Sequence, residues 1–553
     1  MPPSPRMATR RICLIQPKIP PSYWGQEHFL KMTPYAAVYP PLGLLTLAAS
    51  TPADCEVTIC DENAGQAIDY DTDADIIGIT GYLFQLAHVF AIAERFRARG
   101  KLVVIGGPAA TLVPEECRPH CDVLFEGEAE YTWPQFLAEH ARGAHADSYR
   151  QEEKIHLPDS PMPRLDLLKK QYGQGIVQTS RGCPFTCEFC DIIVMYGRKM
   201  RYKTIPRVIE ELEAWQARGV GKVFFADDNF IGNRAYAKEL LRAVGAWNAK
   251  QKSPLGFFTQ ASVDMVRDEE LMGLLRDANF FAVFVGIESP RKANLAETKK
   301  TQNARVDLVA AIHKIQSYNL FVWAGMIVGF DHDDPSIFDE MYDFLQAAQI
   351  PFVFLNALDA VPRTPLYQRI KREGRLLHAY KDTTRGVANT SGMGDTNFHP
   401  LLMTRGELKR GLETLYQRLY APEAFAARLL GNLSRFSKVG FRPEALRHQY
   451  VTVLFRLARH YWTKGWAATR FFLRVLAGAV RRAPRFTGPM AIFLGMYAHF
   501  CEVHGSRLPW DPWAPAVADD APVAEPTPSI ELETRVLIAP APEGDAVCLS
   551  EVA

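Results

Sequence analysis

The chain has 553 residues, a formal net charge of +1 and 48% hydrophobic residues. The length excludes a single domain, and the composition is that of an ordinary soluble globular protein, so we expect two or three domains. Ten cysteines without secretory spacing do not indicate a disulfide framework, and residues 1–11 lack the apolar core of a signal peptide. The uncharged stretch 486–501 is too short and too rich in Gly and Pro to span a bilayer, so we expect a cytoplasmic location.

Residues 10–143 alternate strand and helix patterns and form the first predicted domain. Short apolar runs predict five buried strands, at residues 11–15, 57–60, 75–80, 102–105 and 123–125, with a helical pattern at 87–99. This alternation indicates a doubly wound parallel sheet of the Rossmann-like α/β class. Ligands bind such sheets beyond the carboxyl ends of the strands. Three short segments occupy those positions: Thr80-Gly81-Tyr82, Gly106-Gly107-Pro108 and Gly127-Glu128.

A connection rich in Pro and Asp, residues 156–164, leads into the second predicted domain, residues 170–370. Six strand candidates alternate with helical patterns there, at 175–179, 222–226, 256–260, 281–287, 321–328 and 352–358. One helix is predicted at 206–218, with Thr204 as its N-cap. The alternation predicts a partial (β/α)₆ barrel, and barrel enzymes place their chemistry at the carboxyl ends of the strands. Polar side chains stand at those ends: Asp227, Asp228, Gln260 and Glu288.

Three cysteines follow the first barrel strand at spacings of four and three residues: Cys183, Cys187 and Cys190. A loop of this length can place three thiolates around one face of an iron–sulfur cube, which leaves one iron open to a substrate. No other cysteine lies between Cys121 and Cys501, so a fourth thiol does not close the site. The alternative is a zinc knuckle with a distant histidine, although no second pair of zinc ligands accompanies the motif.

The motif Cys183-x-x-x-Cys187-x-x-Cys190, with aromatic Phe189 before the last cysteine, resembles the signature of the radical S-adenosylmethionine enzymes. The resemblance implies a [4Fe–4S] cluster that chelates S-adenosylmethionine and cleaves it to a 5′-deoxyadenosyl radical. It also implies contacts to S-adenosylmethionine at the strand ends, from Asp227, Asp228, Gln260, Glu288, Gly325 and Gly329. Among these, an Asp would accept the methionine ammonium, Glu288 the ribose hydroxyls, and the glycines would let adenine approach the backbone. The alternative is that Asp228 caps a helix and that Glu288 pairs with a surface Lys or Arg.

The first domain resembles the cobalamin-binding domain that is fused to many of these barrels, at residues 105–108 and 126–130. The resemblance implies that the loops carrying Tyr82, Pro108 and Glu128 contact cobalamin. Cobalamin mutases and methionine synthase carry Asp-x-His-x-x-Gly after the second strand, where the histidine ligates cobalt. Here Asn63 occupies the histidine position in Asp61-Glu62-Asn63-Ala64-Gly65. Asparagine is a poor cobalt ligand, so we expect no protein nitrogen beneath the cobalt.

Longer motifs at residues 190–199, 227–233 and 358–367 make residues 10–430 similar to the cobalamin-dependent, class B radical S-adenosylmethionine methylases. This group includes the hopanoid C-3 and C-2 methylases. The resemblance implies methyl transfer from methylcobalamin to an unactivated carbon, and a second S-adenosylmethionine that restores the methyl group on cobalamin. It further implies an electron donor such as flavodoxin or ferredoxin and an apolar acceptor, for example a polycyclic lipid such as a hopanoid.

Three other functions remain open at the level of sequence. An oxygen-independent radical cyclase or oxidase would use the same cofactors without methyl transfer. A non-catalytic, membrane-associated cofactor-binding protein would have no need of an intact three-cysteine site. A methylthiotransferase would need a further cysteine trio in the first domain, whose cysteines are instead scattered over positions 13, 55, 60, 117 and 121.

The C-terminal region divides into a helical extension, residues 371–504, and an acidic tail, residues 505–553. Residues 401–485 hold 17 Lys or Arg against 4 Asp or Glu, a local charge of +13. The tail holds 2 Arg against 9 Asp or Glu together with eight prolines, so we predict that it is disordered. Aromatics interleaved with arginines in the extension predict peripheral contact with the inner membrane. The alternative is a solvated basic face packed on the barrel, and nucleic acid is not expected because no reading module accompanies the charge.

Overall fold

The computed structural model describes residues 10–378, 396–437, 448–505 and 510–513. Apart from residues 505 and 510–513, the acidic tail and the disorder predicted for it lie outside the described residues. The described residues are built around two parallel six-stranded sheets, followed by a group of helices.

The first sheet has the strand order β2-β1-β3-β4-β5-β6, with every neighbouring pair parallel. Its strands are β1 Arg10–Gln16, β2 Cys55–Asp61, β3 Ile76–Thr80, β4 Leu102–Gly106, β5 Val123–Glu126 and β6 Ser148–Arg150. Its helices are α2 Leu42–Ala49, α3 Leu86–Arg97, α4 Pro108–Leu112, α5 Pro114–Cys117 and α6 Thr132–His140, whereas the short α1 Glu27–Leu30 lies in the segment between β1 and α2. Adjacent Leu14 and Ile15 enter different hydrophobic clusters, because both faces of the sheet are covered. The predicted doubly wound sheet is therefore confirmed, with β6 as an additional short strand.

The second sheet has the order β14-β13-β12-β11-β10-β7 and is also parallel throughout. Its strands are β7 Gly175–Val177, β10 Lys222–Phe225, β11 Gly256–Gln260, β12 Phe280–Glu288, β13 Phe321–Val328 and β14 Phe352–Ala357. A small antiparallel pair, β8 Ser180–Arg181 and β9 Arg201–Tyr202, encloses the three cysteines. The barrel helices are α7 Ile192–Met195, α8 Ile205–Ala217, α9 Arg234–Asn248, α10 Glu269–Asp277, α11 Lys292–Glu297, α12 Thr301–Ala304, α13 Leu308–Ser317, α14 Ile337–Ala347 and α15 Pro365–Arg372. Thr204 caps α8 as predicted, and the partial barrel is confirmed.

The C-terminal helices close the lower end and one edge of this barrel. They are α16 Arg405–Tyr420, α17 Pro422–Ser434, α18 His448–Thr463, α19 Trp466–Arg482 and α20 Thr487–Gly505. The Tyr416 and Tyr420 hydroxyls bond to the backbone of Leu355 and Val353, so they satisfy polar groups on the edge strand β14. The rings of Phe493 and Phe500 on α20 pack against the lower part of the barrel. The extension is thus part of the barrel's packing.

Residues 17–41, between β1 and α2, leave the first sheet and run along the open flank of the barrel; we call them the strap. An open six-stranded barrel has two edge strands, here β7 and β14. The strap bonds to the chain just before β7, through Ala37 and Gly173, and its Trp24 ring stacks on Phe354 of β14. The strap therefore covers the gap between the two edges.

Candidate active site at the cysteine loop

The cysteine loop leaves β8 through a sharp turn at Gly182. Gly182 has φ of +95°, and a Cβ there would lie 3.0 Å from the carbonyl oxygen of Gly197. Only glycine fits this position without displacing backbone. Cys183 N–H donates to the same carbonyl, and Cys190 N–H donates to the carbonyl of Cys187, so the loop folds back on itself.

The three thiols of the loop are close enough to influence one another's charge. Burial raises the pKa of Cys183 and of Cys190, and the neighbouring thiols raise them further. The side-chain amide of Gln302 lies 3.9 Å from the Cys187 sulfur and can donate to it. Among the described residues, no three His, Cys, Asp or Glu side chains form a ligand set for a single metal ion. A donor set of three thiols with an N–H toward sulfur fits an iron–sulfur cluster.

A buried ion pair between Glu288 and Lys300 lies beside this loop. The Lys300 ammonium is 5.8 Å from the Phe189 ring and within electrostatic reach of Cys187 and Cys190. Burial lowers the pKa of Lys300, but the Glu288 carboxylate and the thiols of Cys187 and Cys190 together outweigh burial, so the pKa is raised. Glu288 has φ of +68°, a strained conformation that the surrounding contacts must hold. Lys300 was not predicted, because the sequence places it in a loop beside Lys299, where it looks like a surface charge.

The adjacent carboxylates Asp227 and Asp228 have different environments. Asp227 is fully buried and accepts hydrogen bonds from the backbone and hydroxyl groups of Thr179 and Ser180. It therefore holds the strand-to-loop junction and has little capacity left for a ligand. Asp228 accepts from Gly182 N–H at 2.9 Å, and burial raises its pKa to about 7. Of the two predicted ligands, Asp228 is the one placed at the entrance to the cysteine loop.

The remaining barrel residues that were predicted to contact S-adenosylmethionine lie at separate places along the second sheet. Gln260 ends β11 and is half-buried. Gly325 has no space above it, because a Cβ there would lie 2.9 Å from the Phe284 ring. Gly329 has φ of +109° and donates its N–H to Asp333, so it forms a turn. The ring that approaches the Gly325 backbone in this structure is thus Phe284.

Three loops at the carboxyl end of the first sheet pack tightly together. A Cβ on Gly107, which has φ of +88°, would lie 2.3 Å from the Thr80 hydroxyl. Ala109 N–H donates to the carbonyl of Gly81, and Gly127 N–H donates to the Thr111 hydroxyl. Gly81, Gly106 and Pro108 complete this surface. Tyr82 projects from it with 47% of its surface exposed, within electrostatic reach of Asp191 beside Cys190.

Glu128 has a different role from the cobalamin contact that was predicted. Its side chain is only 1% exposed and pairs with Arg181 at 2.8 Å and Arg201 at 2.9 Å. Neighbouring Glu130 pairs with Arg181 at 2.7 Å. Because Arg181 and Arg201 belong to the β8–β9 pair, these ion pairs join the first sheet to the cysteine loop. We call these four residues the clamp. The sequence did not predict the clamp, because its glutamates and arginines are far apart in the chain.

Asn63, in the position of a cobalt-ligating histidine, is engaged in holding the strap. Its amide nitrogen donates to the carbonyl of Pro17 at 3.1 Å, and its oxygen accepts from Ile19 N–H at 2.8 Å. Gln85 donates to the same Pro17 carbonyl at 2.9 Å. The side chain is therefore committed to protein contacts, which agrees with its predicted failure to ligate cobalt.

Comparisons with known proteins match each of the two sheets to a known family. The radical SAM superfamily matches residues 177–345, a B12 binding domain matches residues 32–137, and a domain of unknown function (DUF4070) matches residues 364–507. An uncharacterized methyltransferase of Synechocystis sp. is 38% identical over 434 residues, 78% of this chain and 79% of that protein. The hopanoid C-2 methylase of Rhodopseudomonas palustris is 34% identical over 379 residues, 67% of this chain and 72% of that protein. The chain belongs to the cobalamin-dependent radical S-adenosylmethionine methyltransferases.

The fold of this methyltransferase is shared with OxsB, a cobalamin-dependent S-adenosylmethionine radical enzyme solved with aqua-cobalamin and S-adenosylmethionine bound. The TM-score is 0.59 at 15% identity, and the match covers 90% of this chain and 80% of that one. The protein is thus an enzyme that uses a [4Fe–4S] cluster, S-adenosylmethionine and cobalamin, as predicted. The zinc and non-catalytic alternatives are set aside. Within the described ranges, no helix has the length and apolar character needed to cross a bilayer.

Proposed function

We propose that this methyltransferase methylates an unactivated carbon of a large, multi-ring apolar acceptor, for example a hopanoid, inside the barrel. The observation that carries the proposal is the aromatic lining of the barrel. The similarity to the hopanoid C-2 methylase supports the same class of acceptor. The family also needs a reductant, and we propose a flavodoxin or ferredoxin for that role.

The barrel interior has three layers. Its lowest layer, which includes Phe321 and Phe352, is packed by helices of the C-terminal extension. The middle layer is aromatic: the ring centroids of Phe224 and Phe258 are 4.5 Å apart, and those of Phe258 and Trp323 are 5.3 Å apart. The upper layer is polar and includes Asp228, Gln260 and the exposed Asn356, next to the cysteine loop. A flat apolar molecule can lie on the aromatic layer while its reacting carbon faces the loop.

We assign roles to the residues of the loop on the same basis. When bound, the cluster and S-adenosylmethionine supply the hydrogen-abstracting radical, and cobalamin supplies the methyl group. Cys183, Cys187 and Cys190 would hold the cluster, and Asp228 would accept the methionine ammonium. The Glu288–Lys300 pair would place one charge of each sign beside S-adenosylmethionine, which itself carries both signs. The aromatic layer would exclude water from the reacting carbon.

The domain boundaries follow the same division of labour. We propose a cobalamin-binding domain at residues 10–143, a radical S-adenosylmethionine barrel at 170–370, and a helical extension at 371–504. Cobalamin would rest on the surface formed by Thr80, Gly81, Tyr82, Gly106, Gly107, Pro108 and Gly127.

The acceptor is tested by labelling. The enzyme is expressed in a hopanoid-producing host fed with methionine deuterated in its methyl group, and the extracted lipids are analysed by mass spectrometry. We expect a hopanoid that gains one labelled methyl on an sp³ carbon, and no such product from the Cys187→Ala variant. A labelled polar metabolite or peptide would reject the lipid acceptor and keep the chemistry. An oxidised or cyclised product without label would support the cyclase alternative.

We also propose that helices α18 and α19 bind the surface of an anionic membrane. Phe455, Trp462 and Trp466 are 73%, 70% and 72% exposed, although large apolar rings are normally buried. Val451 and Phe455 lie on one face of α18, and Leu473 and Val480 lie on one face of α19. Arginines at positions 456, 459, 470, 474 and 481 are exposed among them. Exposed tryptophans beside arginines fit the interface of an anionic bilayer, where each cation contributes about 1 kcal/mol.

Liposome co-sedimentation tests this surface. The Trp462→Ser, Trp466→Ser double variant should lose binding to vesicles that contain phosphatidylglycerol, whereas Tyr131→Ser, an exposed aromatic of the first sheet, should not. Binding of the wild type should fall as salt is raised. Equal binding to neutral vesicles, or a concentration-dependent dimer that the double variant abolishes, would reject the membrane and indicate another occupant.

A further inference from the structure

The strap brings one aromatic side chain into the barrel. Tyr23 and Trp24 are neighbours in sequence but differ in exposure. Tyr23 is 2% exposed, and its hydroxyl bonds to His504 on α20 at 2.6 Å. Trp24 is 37% exposed, and its ring stacks on Phe354 at 4.3 Å with an interplanar angle of 21°. Tyr23 thus anchors the strap to the C-terminal helices, and Trp24 forms part of the inner wall of the barrel.

The ring of Trp24 belongs to the middle, aromatic layer. Its centroid lies 5.5 Å from that of Phe284, which is half-buried on β12 and lies over Gly325. Phe354 in turn faces Trp323 across the same layer. A large ring that is packed on one side and more than one third exposed leaves apolar area in contact with water. An acceptor that covered this area would gain the free energy of its burial.

The two ends of the strap are fixed, so Trp24 has little freedom to withdraw. At one end, Asn63 and Gln85 bind the Pro17 carbonyl, and the Gln85 side chain also accepts from Tyr82 N–H at 3.0 Å. At the other end, Ala36 N–H donates to the carbonyl of Gln171 and Gly173 N–H donates to that of Ala37, both at 2.9 Å. The loop that presents Tyr82 to the cysteine loop therefore also fixes the start of the strap. The position of Trp24 is therefore fixed relative to the surface proposed for cobalamin.

We propose that Trp24 is a specificity-determining residue that stacks on a flat face of the multi-ring acceptor. This inference rests on the proposed function, since it assumes that the acceptor lies in the aromatic layer. The first sheet then contributes to substrate selection through its strap as well as to cofactor binding. A planar indole that is packed on one side, in a strap fixed at both ends, favours flat fused rings over branched or extended chains.

Steady-state kinetics of the reconstituted holoenzyme with a pentacyclic hopanoid tests the proposal. Trp24→Ala should raise the acceptor KM at least tenfold with a smaller change in kcat, and Trp24→Phe should restore most of the loss. Trp247→Ala, on the outer helix α9, is the matched control and should keep the wild-type KM. The methylated product formed per 5′-deoxyadenosine should also fall in Trp24→Ala, because an acceptor that is poorly held meets the radical less often.

Photocrosslinking gives a second measurement that does not depend on turnover. A p-benzoylphenylalanine placed at position 24 should crosslink to the hopanoid, and one placed at position 247 should not. An active wild type with an unchanged KM in Trp24→Ala, or no crosslink at position 24, would overturn this inference and leave the proposed function intact. A wild type that methylates no hopanoid would overturn the proposed acceptor, and the role of Trp24 with it.

Discussion

The two parallel sheets use the carboxyl ends of their strands differently. In the barrel, side chains at those ends surround the cysteine loop: Asp228, Glu288 and Lys300. In the first sheet, the polar side chains at the corresponding places are consumed by protein contacts, as Glu128 is in the clamp and Asn63 is at the root of the strap. What remains there is a group of buried and half-buried glycine-rich loops, from which the exposed Tyr82 projects.

This difference indicates a division of labour. The barrel carries the groups that act on charge, which radical generation from S-adenosylmethionine requires. We infer that the first sheet supplies shape for a large cofactor, and that the ion pairs of the clamp, which tie this sheet to the barrel, set the spacing between the two reaction centres. Substitutions in the barrel should therefore lower both the formation of 5′-deoxyadenosine and methyl transfer. Substitutions in the first sheet should lower mainly methyl transfer.

The largest effect is expected at the cysteines. Replacement of Cys183, Cys187 or Cys190 by Ala removes one of three cluster ligands and should abolish formation of 5′-deoxyadenosine. Cys501→Ala, remote from the loop, is the matched control and should retain activity. Liquid chromatography after anaerobic reconstitution measures the product. Wild-type protein that retained zinc and no iron would contradict the cluster assignment.

The next largest effect is expected at Asp227 and Asp228, whose substitution should have different consequences. Asp228→Asn would lose the charge-assisted contact that we propose to the methionine ammonium, which is worth about 1.5–3 kcal/mol, or about 10–100-fold in the Kd for S-adenosylmethionine. Asp227→Asn should instead lower iron content and thermal stability, because its carboxylate holds Thr179 and Ser180. Equilibrium dialysis with labelled S-adenosylmethionine and iron analysis distinguish the two. An unchanged Kd in Asp228→Asn would remove it from the site.

Breaking the clamp should loosen the contact between the sheets. Glu128→Gln leaves the buried Arg201 without its carboxylate partner, whereas Arg181 keeps Glu130, and loss of one member of a buried pair costs about 3–5 kcal/mol. Hydrogen exchange should accelerate at residues 126–131 and 153–157, where the first sheet meets the β8–β9 pair, and should stay unchanged at residues 183–190. Glu153→Gln, which replaces an exposed carboxylate near the same segment, serves as the control. Unaltered exchange in Glu128→Gln would show that the ion pairs do not join the two sheets.

The smallest effect concerns Asn63. Electron paramagnetic resonance of the cob(II)alamin form should show no nitrogen splitting from an axial ligand, because Asn63 is bonded to the strap. Asn63→Ala should cost about 1–3 kcal/mol of stability through three lost side-chain hydrogen bonds, seen as a lower Tm, without changing that spectrum. Axial nitrogen splitting in the wild type would contradict the assignment.

Sequence patterns were sufficient for the sheets and for the cysteine loop, because both depend on residues close together in the chain. The apolar runs of β1, β3 and β13 identify buried strands, whereas β6, Ser148–Arg150, has no such run and was missed. Successive side chains of a strand point to opposite faces, and this alternation along β10 could have distinguished the roles of the two aspartates. Phe225 and Asp227 are fully buried on one face. Phe224, Ala226 and Asp228 lie on the other face, toward the lumen of the barrel.

Contacts between residues that are far apart in the chain could not be predicted from such patterns. Glu128 and Arg181 are 53 positions apart, and Trp24 meets Phe354 across most of the chain. A glutamate in a glycine-rich loop looks like a ligand contact until its partner is known. Lys300 was overlooked for the same reason, since only the fold brings it to the cysteine loop.

The ratio of methylated product to 5′-deoxyadenosine tests the division of labour most directly. It is measured in single turnovers of the wild type, Asp228→Asn and Glu128→Gln, with the same reductant and acceptor. We predict that Asp228→Asn lowers both products together and keeps the wild-type ratio, whereas Glu128→Gln continues to form 5′-deoxyadenosine and lowers the ratio about tenfold. Parallel loss of both products in Glu128→Gln, at wild-type iron content, would contradict the separate roles of the two sheets.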